Sequence, residues 1–109
     1  MSRTTSGKLV AEKANSSTAI GAFNVILLEH AEALVLGAEK SQLPLILQIS
    51  ENCVKYHGSL KPISVATIAI AEASTLPISV HLDHAERNRI RNFLIARTRT
   101  SMEDQIEWV

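Results

Sequence analysis

The sequence predicts an α/β fold built on a parallel sheet. Three observations carry that prediction. Short apolar runs at residues 19–25, 44–50 and 77–81 alternate with the longer stretches 29–40 and 62–74, giving the order β-α-β-α-β. The second and third runs are each entered through a proline, Pro44 and Pro77. Each run also closes in polar residues: Asn24, then Gln48 and Ser50, then Asp83 and His84. In parallel α/β sheets function collects at the carboxyl ends of the strands, so three polar ends in succession would line one mouth.

The elements follow in order. Residues 9–15 suit a short first helix, and Asn15-Ser16-Ser17-Thr18 makes a polar break after it. Residues 19–25 hold few polar positions, as expected of a strand covered on both faces. In 29–40, Leu28, Ala31, Leu34, Val35 and Ala38 form an apolar helical stripe, and the alanine content favours helix. Leu45, Ile46, Leu47 and Ile49 read as a buried parallel strand with Gln48 and Ser50 as polar exceptions. The stretch 51–61 reads as a polar loop with Tyr56-His57-Gly58 at its tip. Pro62 suits the first turn of a helix. Ile63, Ala66, Ile68, Ala69 and Ile70 make that helix nearly apolar all round, which predicts cover on more than one side. The strands are expected to pair in the order 1-2-3 with right-handed crossovers.

Composition narrows the function. At 109 residues the chain suffices for one small domain, and 46% hydrophobic with 20% charged residues excludes wholesale disorder. A net charge of zero gives no global electrostatic case for a nucleic-acid partner. Cys53 is the single cysteine, so no intramolecular disulfide can form, which fits a reducing compartment. No apolar run approaches the roughly 20 residues that cross a bilayer, and the amino terminus lacks the apolar core of a secretory signal. The expectation is a cytoplasmic protein without a membrane partner.

The stretch Ser79-Val80-His81-Leu82-Asp83-His84-Ala85 is where chemistry is expected. Two histidines and an aspartate at a strand end suit a metal or a proton transfer; the plainer reading is a loop with solvated histidines. Adjacent strand residues point to opposite faces, so Asp83 and His84 share a site only if the strand breaks its alternation there. His30 reads as helix surface, His57 as loop, and Cys53 as packing.

The segments GAFNVILLEHAEALVLGAEKSQLPLILQIS, ENCVKYHG and PISVHLDHA resemble the amino-terminal part of the class II, metal-dependent ketose-bisphosphate aldolases, over about residues 9–86. The resemblance implies a partial TIM (β/α)8 barrel, holding the first three strands and their helices, since a complete barrel takes ~250 residues. It implies a zinc-dependent lyase that cleaves fructose- or tagatose-bisphosphate to dihydroxyacetone phosphate and an aldehyde. It assigns Asp83 as general acid/base and His84 as the first zinc-binding histidine. Asn24 and Ser50 become substrate contacts, with His81 in support. A phosphorylated ketose is then the substrate partner, and a homo-oligomer is compatible with it.

Residues 1–86 are accordingly expected to be the amino-terminal part of an aldolase barrel, and 87–109 a tail outside the family pattern. Up to Glu86 there are six basic and eight acidic residues, with Arg3 the only arginine; Arg87, Arg89, Arg91, Arg97 and Arg99 then crowd the remainder. That run reads as a solvated helix face, as a contact for an anionic partner, or as an aberrant carboxyl terminus. Catalytic zinc normally takes three protein ligands, and in the family the others, like the phosphate loops, come from later elements. The alternative expectation is therefore an inactive fragment, or a half-barrel needing a partner chain. An unrelated α/β binding module would leave the three matching strand ends to chance.

Overall fold

A computed structural model describes residues 4–84; the tail 87–109 and the boundary expected at Glu86 lie outside the described residues. The elements are α1 (Ser6–Asn15), β1 (Gly21–Asn24), α2 (Leu28–Ser41), β2 (Leu45–Ser50), α3 (Glu51–His57), α4 (Lys61–Ala73) and β3 (Ile78–Asp83). The strands form one parallel sheet in the order β1-β2-β3, as the alternating pattern predicts.

Strand parity divides the residues of this sheet. Leu45, Leu47 and Ile49 of β2 and Ile78, Val80 and Leu82 of β3 share one face and are buried with Val25, Ala31, Val35, Ala38, Ile63, Ile68 and Ala71 of the flanking segments. Helices α2 and α4 pack against each other, and α4 packs on β3. The other face carries Asn24, Gln48, Ser50, Ser79, His81 and Asp83. At the amino end of that face Ser79 is fully buried, and its Oγ lies 2.8 Å from Ser6 Oγ at the start of α1. The Thr4 N–H donates to Ile78 O at 2.9 Å. α1 thus covers the base of the polar face and leaves the carboxyl ends clear of this contact.

Four details differ from the sequence expectation. The stretch read as a loop contains α3, because its ends are capped. Ser50 Oγ accepts from the Cys53 N–H at 3.1 Å, Glu51 sits in the first turn, and Gly58 ends the helix in the left-handed conformation at φ 79°. α1 begins at Ser6, earlier than expected, because Thr5 Oγ1 caps it by accepting from the Lys8 N–H at 3.2 Å. β1 is exposed at all four residues in place of being covered on both faces, since it stands at the edge of the described sheet. α4 buries one stripe only, Ile63, Ser64, Thr67, Ile68 and Ala71, and Val65 faces outward. Its two buried hydroxyls donate back to the preceding turn, Ser64 to Leu60 O at 2.7 Å and Thr67 to Ile63 O at 2.6 Å, which satisfies them inside an apolar stripe.

Candidate active site

Parallel pairing sets the polar strand ends side by side. Asn24, Gln48 and His81 are register partners across all three strands, and Ser50 is the partner of Asp83 two residues further on. Adjacent strands lie about 4.8 Å apart and partners project to the same face, so these five form two rows at the carboxyl end of one face. Register sets Gln48, read from the sequence as a polar strand end, and His81, read as a supporting residue, in one row with Asn24. Counting back by two from Ser50 and from Asp83 is the signal that finds them.

Asp83 is the centre of the group. Its side chain is 19% exposed, with His84 Nε2 at 3.3 Å from one carboxylate oxygen and His81 Nε2 at 3.8 Å from the other. His81 is 20% exposed and His84 86%. His84 does not continue the strand: its φ is 51°, in the left-handed region that non-glycine residues rarely enter. This is the break in alternation that lets neighbouring residues 83 and 84 meet. A carboxylate between two imidazoles can take and return a proton, and the exposed His84 ring offers a nitrogen outward.

Ser50 stands beside Asp83 but already serves the backbone as the cap of α3. A hydroxyl also carries a proton to donate, so the cap leaves a second use open. Asn24 is exposed at the end of β1. The other two histidines hold a loop. His30 Nδ1 accepts from the Ile26 N–H at 3.3 Å and the Leu27 N–H at 3.1 Å, and His57, the last residue of α3, bonds through Nε2 to Ile26 O. Cys53 is buried, and burial pushes its thiol pKa up, as suits a packing residue and not a nucleophile.

Among the described residues no three His, Cys, Asp or Glu side chains converge so as to hold a metal ion. A catalytic zinc needs three protein ligands, so these residues by themselves do not fit one, although His84 could contribute a single ligand. Among the described residues no helix is long and apolar enough to cross a membrane.

A sequence profile of the family described as "Fructose-bisphosphate aldolase class-II" matches residues 4–105. A 6-phospho-5-dehydro-2-deoxy-D-gluconate aldolase of Bacillus velezensis is 40% identical over 86 residues, covering 74% of this chain and 30% of the relative. A fructose-bisphosphate aldolase of Thermus caldophilus is 37% identical over 65 residues, covering 60% of this chain and 21% of the relative. The chain thus spans less than a third of the length of either. Among solved structures, the YdjI aldolase of Escherichia coli K12 superposes with a TM-score of 0.74 at 23% identity, over 83% of this chain and 35% of the other; that likeness concerns the fold.

Proposed function

The chain belongs to the class II fructose-bisphosphate aldolase family, and on that premise we propose that its polar strand ends form part of an aldol-cleaving lyase site. The observation that carries the proposal is Asp83, half-buried at a strand carboxyl end with an imidazole on either side. In this reading Asp83 removes the proton from the hydroxyl on the carbon β to the substrate's ketone. The electron pair of that O–H forms the new aldehyde carbonyl, the Cα–Cβ bond breaks, and its electrons pass into the ketone half as an enediolate. Asn24, Gln48 and Ser50 offer amide and hydroxyl donors for the oxygens of that half. His81 holds Asp83 in place.

Zinc, when bound in such a site, supplies a Lewis acid that stabilises the negative charge. His84 would be one of its ligands, and the others must come from beyond the described residues. The two βα units and third strand read as the opening part of a (β/α)8 barrel, completed by further strands or by a second copy of the chain, in a cytoplasmic enzyme.

The names of the two relatives support a phosphorylated ketose as substrate. Fructose bisphosphate and 6-phospho-5-dehydro-2-deoxygluconate both place a ketone between a phosphorylated carbon and a hydroxyl-bearing one. Cleavage between the α and β carbons gives the same half from each, dihydroxyacetone phosphate, and only the aldehyde differs. Fructose-, tagatose- and deoxygluconate-type substrates are thus equally compatible with these residues. The test is a chimera with residues 4–84 replacing the matching stretch of the Bacillus velezensis relative, assayed by coupled detection of dihydroxyacetone phosphate. Cleavage should be retained, and Asp83→Ala should lower kcat by about 10²- to 10⁴-fold, the usual worth of a general acid–base group. An active chimera indifferent to Asp83→Ala would refute the assignment.

A further inference from the structure

The ladder between β1 and β2 ends with the Val25 N–H, which donates to Gln48 O at 2.8 Å. Side chains then take over from backbone. The next peptide group, between Ile26 and Leu27, is held from both sides: the Leu27 N–H donates to His30 Nδ1, as does the Ile26 N–H of the group before it, and the Ile26 C=O accepts from His57 Nε2. Cys53 Sγ lies 3.8 Å from the same carbonyl. Burial does not fix this loop, since Ile26 and Leu27 are 43% and 38% exposed. Nor does an ordinary helix cap. Leu27 occupies the N-cap of α2, and its side chain has no acceptor to offer. His30 stands three residues further on, the place from which a Glu or Gln reaches back to the cap N–H, and does that work with an imidazole.

The geometry points to His30 and His57 as positioning residues for Asn24. They clamp the peptide two residues beyond it, His30 from α2 and His57 from α3. Ser50 caps the first turn of α3 and His57 ends it, so this short helix ties the end of β1 to the end of β2. The clamp sets where Asn24 stands beside Gln48 and Ser50, and its importance for catalysis rests on the functional reading above. The two rings have different duties. His30 must leave Nδ1 unprotonated to accept, whereas His57 must carry a proton on Nε2 to donate.

The experiment is residue-resolved amide hydrogen exchange on the 109-residue chain, with the Asn24 side-chain amide followed by NMR. His30→Phe and His57→Phe keep the ring and remove the bond. Each should speed exchange at Ile26 and Leu27 by about 5- to 30-fold, the ratio that one or two kcal/mol makes. Leu47 and Val80 should keep wild-type rates, and the Asn24 side-chain signals should shift. His30→Glu restores an acceptor and His57→Gln a donor; both should return the loop amides and the Asn24 signals toward wild type. Unchanged exchange in the Phe variants would overturn the inference. So would Glu and Gln variants that exchange like the Phe ones. Should a Phe variant lose core protection, the Glu and Gln variants decide by the same readout. No substrate enters the measurement, so its failure is distinct from a failure of the aldolase reading.

Discussion

The two faces of the β2–β3 pair come from the same twelve residues and do opposite work. On one, Leu47, Ile49, Ile78, Val80 and Leu82 are 0–2% exposed and make the core. On the other, Gln48, Ser50, His81 and Asp83 are only half-buried and hold the candidate chemistry. A parallel strand covered on both sides is usually apolar throughout. Here every second residue at the carboxyl end departs from that rule, while Ile46 and Ser79 at the amino end are buried under the same sheet face. The difference between faces teaches that stability and chemistry are separated by strand parity, and that on the polar face they are separated again along the strand.

The comparison can be broken most sharply by catalysis. The 109-residue chain assayed alone with added Zn2+ should show no measurable aldol cleavage and only weak zinc binding by calorimetry, because among the described residues no three ligands converge as catalytic zinc requires. Cleavage abolished by Asp83→Ala or His84→Ala in that chain would mean that the missing groups are supplied by a second copy or by the tail 87–109. Next in size is the contrast between neighbours. Leu47→Ala should cost about 2–5 kcal/mol in urea unfolding, as buried Leu truncations do. Gln48→Ala, one residue away on the half-buried polar face, should cost less, about 1 kcal/mol, the centre of the range for point substitutions. Equal losses at the two positions would erase the distinction between the faces.

Ser50→Ala falls in a range similar to Gln48→Ala. Loss of the α3 cap should cost about 0.5–2 kcal/mol, whatever the hydroxyl does for a substrate. A change below that range would show that α3 is held by packing alone. The smallest effect sharpens the buried side. Cys53 is 3% exposed and its thiolate is disfavoured by burial, so a thiol reagent at mildly alkaline pH should label it slowly in the folded chain and promptly in denaturant.

The alternation of apolar runs made the sheet order legible, because periodicity and proline entry are local signals. α3 was not legible from periodicity, since seven residues give too few turns to show a stripe; its ends, Ser50 with Glu51 and Gly58, were the readable part. The exposure of β1 could not be read from its composition, because Phe23 and Ala22 look the same at an edge as in a centre. Of the candidate site, Asp83 and His84 stood out as costly polar residues after an apolar run. Gln48 was visible only as an exception within its strand, and its pairing with Asn24 and His81 is a matter of register, which three separate strands fix jointly.

The φ of 51° at His84 has a consequence for mutational tolerance. The position makes two demands, one on the ring and one on the backbone, and most replacements fail both at once. Asparagine, like aspartate and histidine itself, enters the left-handed region several-fold more readily than most non-glycine residues, and glycine enters it freely, whereas β-branched residues resist it. His84→Asn therefore removes the imidazole and spares the turn, while His84→Val disturbs both. A gene library at this codon should sort by backbone preference when selected for folding, and by side-chain chemistry only when selected for catalysis.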